Sequence, residues 1–408
     1  MPSPIDRTTS ITIRPAPYPY QAMLAICSDL DETPDKNVYC ETMRFLNTNE
    51  ETVMGRGVGL EVGNTIYFDM PPGQFSYWNT DDMGREMVRN LIYSGHIDCL
   101  HSYGDLATTR EHAGRALDEL DRHDCRLKVW VDHGTAPTNF DGDIMQGSGD
   151  VPGSPAYHAD LTMGSGMEYV WRGRVTSVIG QNIPRSLSGI GTLLHPFRSG
   201  ETLLKEFTKG QMALYGHEKY RMHARNNILR HINLRDGRPV WEFMRCNPHW
   251  GGVSSCETAL GIADVLTKPI LQRLVDRKGA CILYTHLGKI GKNAKIFTPG
   301  TCQAFQRLSH FMQDGKILVT TTRRLLDFCR MKDEVTVSVT SIEDVSHINL
   351  TCSQDLKTLE GLTLYVPDLE KVRLFVNKNE MSGFQRNPPD ETNRPSITLP
   401  WNKLAFPG

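Results

Sequence analysis

Ala22-Met23-Leu24-Ala25-Ile26-Cys27-Ser28 is a continuous run with no polar alternation, and it ends at once in Asp29-Leu30-Asp31-Glu32-Thr33. A run of this kind predicts a strand buried on both faces, as in a parallel sheet. Acids placed just beyond its C-terminal end lie on the side where barrels and open α/β sheets bind ligands. The same acids can also be read as an N-cap and turn that feed the next helix.

Comparable short runs recur at Ile97–Leu100, Leu127–Val131, Ala280–Tyr284 and Ile317–Val319. Helical spacing lies between some of them. From Thr109 to His123, Ala113, Ala116, Leu117 and Leu120 fall at i, i+3, i+4 and i+7 after a Thr cap. Thr267 with Pro269 opens a second helix through Ile270, Leu271, Leu274 and Val275, with Gly279 as its stop. Strand, helix, strand in this order predicts an α/β fold with a largely parallel sheet, closed as a distorted (β/α) barrel over residues 1–332. Leu60 to Tyr77 reads as strands inserted around 58–78. From Val335 the texture alternates, in Val335-Thr-Val-Ser-Val-Thr340, Leu362-Thr-Leu-Tyr-Val366 and Val372-Arg-Leu-Phe-Val376. Alternation predicts a small C-terminal antiparallel β-sandwich at 333–408.

The chain has 408 residues, enough for such a barrel and an added module, and its net charge of −2 favours neither nucleic acid nor an anionic membrane as partner. Its ten cysteines are scattered, without a CxxC pair, and read as reduced core residues. Met1 to Tyr20 lacks the apolar region of a secretory signal, and no window approaches a membrane span, so a cytoplasmic protein is expected.

The chemistry concentrates at the predicted strand ends. His101-Ser102-Tyr103-Gly104-Asp105 follows one apolar run, and a His and an Asp four apart can converge on one divalent ion. Lys128-Val-Trp-Val-Asp132-His133-Gly134 and Leu283-Tyr284-Thr285-His286 end two more. Three strands ending in His and a fourth ending in paired Asp would gather these groups on one rim. His101 and Asp105 are expected ligands from this spacing, with zinc first and cobalt, nickel, manganese or iron as other suited ions. Asp132 and His133 are candidates for a second layer or for substrate; His133 reads as a further ligand, an orienter of Asp29 or a substrate contact. Tyr157, Arg245 and Trp250 are weaker substrate candidates, for which a rim salt bridge or packed aromatic is the plainer account.

With these motifs the chain resembles the polysaccharide deacetylase (NodB-homology) family of carbohydrate esterases. In that family a strand-end acidic pair supplies the general base and then a metal ligand, which the resemblance assigns to Asp29 and Asp31. The family motif His-Ser/Thr-x-x-x-His matches His101-Ser102, with Asp105 where the second His would stand. The late Leu-x-His resembles Leu283 to His286 and makes His286 the general acid. The arginine-bearing third motif is replaced by Asp132-His133-Gly134. The resemblance covers about Ala22 to Asp327 and implies metal-dependent removal of an acyl group from an acylated amino sugar or glycan precursor. Asp29-Leu-Asp31-Glu-Thr33 also fits a haloacid-dehalogenase-type phosphatase with Asp29 as nucleophile, but His101, His133 and His286 would then have no task. A non-catalytic sugar-binding protein is the third reading, and the C-terminal module suits binding or homo-oligomer assembly.

Overall fold

The computed structural model describes residues 11–408 except 135, 188–189, 191–195, 248–257, 291–295 and 353–358. The run at Ala22–Ser28 is a strand with every residue buried, as its unbroken apolarity requires. From Met23 to Ser28 it pairs in parallel with Ala280–Thr285, Met23 opposite Ala280 and Ser28 opposite Thr285. On its other side the first half meets Ile317–Thr320, while Ser28 at its end meets Asn64 of the Asn64–Ile66 strand. The parallel neighbours continue through Ile97–His101, Val129–Val131 and Tyr169–Trp171 to Pro239–Phe243. That last strand leads into Arg245–Cys246, which pairs back onto Ala280–Thr285 at Leu283. The result is an eleven-stranded, mostly parallel sheet curled as a distorted barrel, with Leu229–Asn233 as an antiparallel edge.

Helices cover the outside. Asp35 caps Lys36–Asn47 by accepting from the backbone N–H of Asn37 and Val38, which leaves Asp29 and Asp31 free of the capping role. Arg110–Arg122 buries Ala113, Ala116 and Leu120, the stripe expected from the spacing. Lys268–Arg277 ends one residue earlier than expected, with Lys278 in the left-handed region at φ 54°. Gly279 instead lets two backbones approach, since a Cβ there would stand 2.8 Å from the Cα of Gly180.

Two expectations are corrected. The segment around 58–78 is not an insertion: Asn64–Ile66 is a member of the main sheet, shortened by an irregular register at Asn64/Thr65. The C-terminal region holds two four-stranded sheets, but Val345–Thr351 and Val372–Val376 pair in parallel rather than antiparallel. The other sheet recruits Thr12–Ile13 from the opposite end of the chain, paired with Thr363–Tyr365. One apolar cluster runs from Ala25, Val129 and Tyr169 through Leu325 and Phe328 to Leu350, Leu374 and Ile397, so barrel and C-terminal sheets share a core. No disulfide joins two of the nine described cysteines, and among the described residues no helix is long and apolar enough to cross a membrane.

Candidate metal centre

The parallel register brings the chemistry to one end of the barrel. Asp29 and His286 are the first residues beyond the paired Ser28 and Thr285, and the Asp29 N–H donates to the Thr285 carbonyl at 2.8 Å. His101 closes its own strand opposite Val131, two residues before His133. Along Ala22–Ser28, Ala25 and Cys27 face one cluster while Leu24 and Ile26 face another, and Asp29 continues the phase of Ala25 and Cys27.

Asp31, His101 and His133 offer ligand atoms that all lie within 4.8 Å of one another. His133 Nε2 is 3.0 Å and His101 Nε2 is 3.4 Å from Asp31 Oδ1, and His286 Nε2 lies 2.8 Å from Asp31 Oδ2. The His101 and His133 rings meet edge to face at 4.6 Å, with Tyr67 beside both. His101 is buried, yet neither of its ring nitrogens has a hydrogen-bond partner of good geometry, and Asp31 Oδ1 is likewise unmatched. Buried polar atoms are normally satisfied, so unmatched donors and acceptors gathered in this way fit a cation. Two imidazoles and one carboxylate are a donor set suited to zinc or another first-row divalent ion.

The third member of this group is His133, not Asp105. Asp105 has a half-exposed side chain, and its Oδ1 lies 3.1 Å from His133 Nδ1, on the opposite edge of the imidazole from Asp31. The loop between His101 and Asp105 turns through Ser102 at φ 51° and Gly104 at φ 103°, which carries the Asp105 side chain to the flank of His133.

The charges reinforce one another. Burial opposes ionisation of Asp31, but contacts from His101, His133 and His286 hold its carboxyl far below the ordinary range. Burial pushes the His101 imidazolium down, and repulsion from His133 adds to it, against the opposing pull of Asp29 and Asp31. For His133 burial acts the same way, but Asp105 and Asp31 outweigh it and raise the ring to about 10. A proton thus sits most readily where a metal cation would compete for the same ring.

Arg245, a weaker substrate candidate in the sequence, is wholly buried. Burial opposes its charge, but Asp29 keeps the guanidinium ionised, with Nη1 at 2.7 Å from Asp29 Oδ2. Its plane lies against Trp171 at 4.0 Å and Tyr284 at 4.9 Å. Trp171, Tyr284 and Tyr67 were not singled out in the sequence; their signal is position, each being at or next to a strand end of the same sheet. Asp132 is also buried and accepts from Trp130 Nε1 and from the N–H groups of Phe140 and Asp141, so it braces the loop that carries His133. Tyr157 is engaged elsewhere, its hydroxyl on Asp236 and its ring under Arg110. Trp250 lies outside the described residues. No family model, curated protein or solved structure matches the chain.

Proposed function

We propose that the chain is a metal-dependent hydrolase that removes an acyl group, N-acetyl above all, from a carbohydrate or related substrate. The observation that carries this reading is the convergence of Asp29, Asp31, His101, His133 and His286, from four separate strand ends, on one buried rim. The resemblance to polysaccharide deacetylases in the Asp29-Leu30-Asp31, His101-Ser102 and Leu283–His286 segments adds the reaction type. It also suggests that the barrel is of that family's kind and that the C-terminal sheets form its appended sandwich.

Asp31, His101 and His133 would hold the ion, zinc first, which when bound supplies Lewis-acid polarisation of the acyl carbonyl and lowers the pKa of water. The rest falls to the chain's own groups. Arg245 engages Asp29 through Oδ2 and leaves Oδ1 without a partner, so Oδ1 is the atom positioned to take the proton of the attacking water. His286 spends Nε2 on Asp31 and keeps Nδ1 unpartnered, which suits delivery of a proton to the leaving amine or alcohol. The water's proton thus passes to Asp29, and the leaving group departs protonated by His286.

The test is metal analysis of the purified chain followed by assay on N-acetylated amino sugars and aryl acetates. Metal-dependent release of acetate, abolished by Asp29→Asn with the metal retained, is the expected result. Release of phosphate from phosphomonoesters that depends on Asp29 would overturn it in favour of the dehalogenase-type alternative. Sugar binding without turnover would make the protein a lectin-like binder.

A further inference from the structure

We infer that Asp105 is a positioning residue for the metal ligand His133, fixing its tautomer so that Nε2 presents a lone pair to the site. The inference rests on the metal reading above and deepens it. His133 has two ring nitrogens with distinct neighbours: Nε2 is 3.0 Å from Asp31 Oδ1, inside the ligand group, and Nδ1 is 3.1 Å from Asp105 Oδ1, outside it. A neutral imidazole carries one proton. A carboxylate beside Nδ1 attracts that proton there, which leaves Nε2 as the free donor atom.

The backbone holds Asp105 in this place. Gly104 adopts φ 103°, and a Cβ there would come within 2.3 Å of the Asp69 carbonyl. The Tyr103 carbonyl accepts from the N–H groups of Phe68 and Asp69, and Leu106 donates back to Asp69, so the turn is locked against the segment that follows Asn64–Ile66. The His133 backbone is fixed as well, because Asn139 Oδ1 accepts from the His133 N–H at 2.9 Å and Asn139 Nδ2 donates to its carbonyl at 3.0 Å. Ring and carboxylate therefore face each other from two independently anchored loops. The Asp105 side chain is 46% exposed, so its removal leaves no buried cavity.

The experiment is zinc titration of the full chain against a chromophoric chelator, for wild type, Asp105→Ala and Asp105→Asn, with the imidazole ¹⁵N shifts of His133 read in parallel. Metal-site carboxylates that orient a ligating His typically contribute about 10–100-fold in affinity. Asp105→Ala should weaken zinc by that order with one ion per chain retained and with unfolding of the apo chain unchanged. Asp105→Asn, whose amide oxygen still accepts, should lose less. In the zinc-loaded chain the His133 shifts should report a hydrogen-bonded Nδ1–H in wild type and one that has lost that partner in Asp105→Ala. Wild-type affinity in Asp105→Ala overturns this inference and leaves the metal reading standing. Loss of stoichiometric zinc in Asp105→Ala, as complete as in His101→Ala, would make Asp105 a ligand. A wild-type chain that binds no zinc overturns both readings.

Discussion

Arg14, against the C-terminal sheets, and Arg245, at the barrel rim, are both almost completely buried, yet they are solvated by the protein in opposite ways. Arg14 spends all three nitrogens. Nε meets Asp390 at 2.8 Å, Nη2 meets Glu391 at 3.1 Å, and Nη1 and Nη2 donate to the carbonyls of Ala16, Pro17, Pro19 and Tyr20. Arg245 spends Nη1 on Asp29 and leaves Nε and Nη2 without a hydrogen-bond partner. The histidines repeat the contrast. His158 is partnered at both nitrogens, by Thr162 at 2.7 Å and the Thr138 carbonyl at 2.8 Å, whereas His101 is partnered well at neither. The fully satisfied Arg14 and His158 specify the fold, while the unmatched atoms of Arg245 and His101, gathered at one strand-end rim, fit groups kept for a ligand.

The largest effect expected from this contrast is on turnover. Asp29→Asn keeps the shape beside Arg245 and removes the base, so hydrolysis should fall by about 10²–10⁴-fold with zinc still bound. Initial rates on an aryl acetate measure it. A variant with unimpaired rates would return Asp29 to the class of fold-specifying groups.

Next is stability. Arg14→Ala removes the cation beside Asp390, whose side chain is 3% exposed and keeps only the neutral donors of Tyr365 and Thr392, and should cost about 3–5 kcal/mol in urea unfolding. Turnover per folded molecule should not change. His101→Ala should do the reverse, abolishing zinc binding while costing the apo chain little. If both variants lost the same stability, the distinction between the two kinds of buried polar group would fail.

Much of this was legible because the signal is local. Asp29, Asp31, His101, His133 and His286 each follow an apolar run by one or a few residues, and a parallel sheet sends all such ends one way. The choice between Asp105 and His133 was not legible, since it depends on positive φ at Ser102 and Gly104. The sequence offers Arg245 only as a weak substrate candidate or a rim salt bridge, because its companions Trp171 and Tyr284 come from strands far away in sequence. The pairing of Thr12–Ile13 with Thr363–Tyr365 was hidden for the same reason, as was the parallel pair in the C-terminal sheet.

Two smaller effects sharpen the comparison. Gly104→Ala puts a Cβ against the Asp69 carbonyl at an unfavourable φ, with a cost of about 1–3 kcal/mol, and should weaken zinc binding by displacing Asp105. Unchanged affinity would show the turn to be irrelevant to the site. The smallest effect appears only in acid. Burial lowers His158 to about 4, while the unfolded chain titrates near ~6.5, so unfolding takes up a proton between those values. Stability is therefore fully present above about pH 6.5 and is lost as pH falls through about 4. His158→Gln should flatten that limb in denaturation curves taken between these pH values, and an unaltered limb would assign it to other groups.

The central claim is that Asp31, His101 and His133 hold one divalent ion, and zinc K-edge absorption on the purified chain tests it most directly. The account predicts one zinc per chain with nitrogen and oxygen neighbours only, two of them imidazoles, and one imidazole fewer or no zinc in His133→Ala. Sulfur neighbours, or an unchanged spectrum and stoichiometry in His133→Ala, would contradict it.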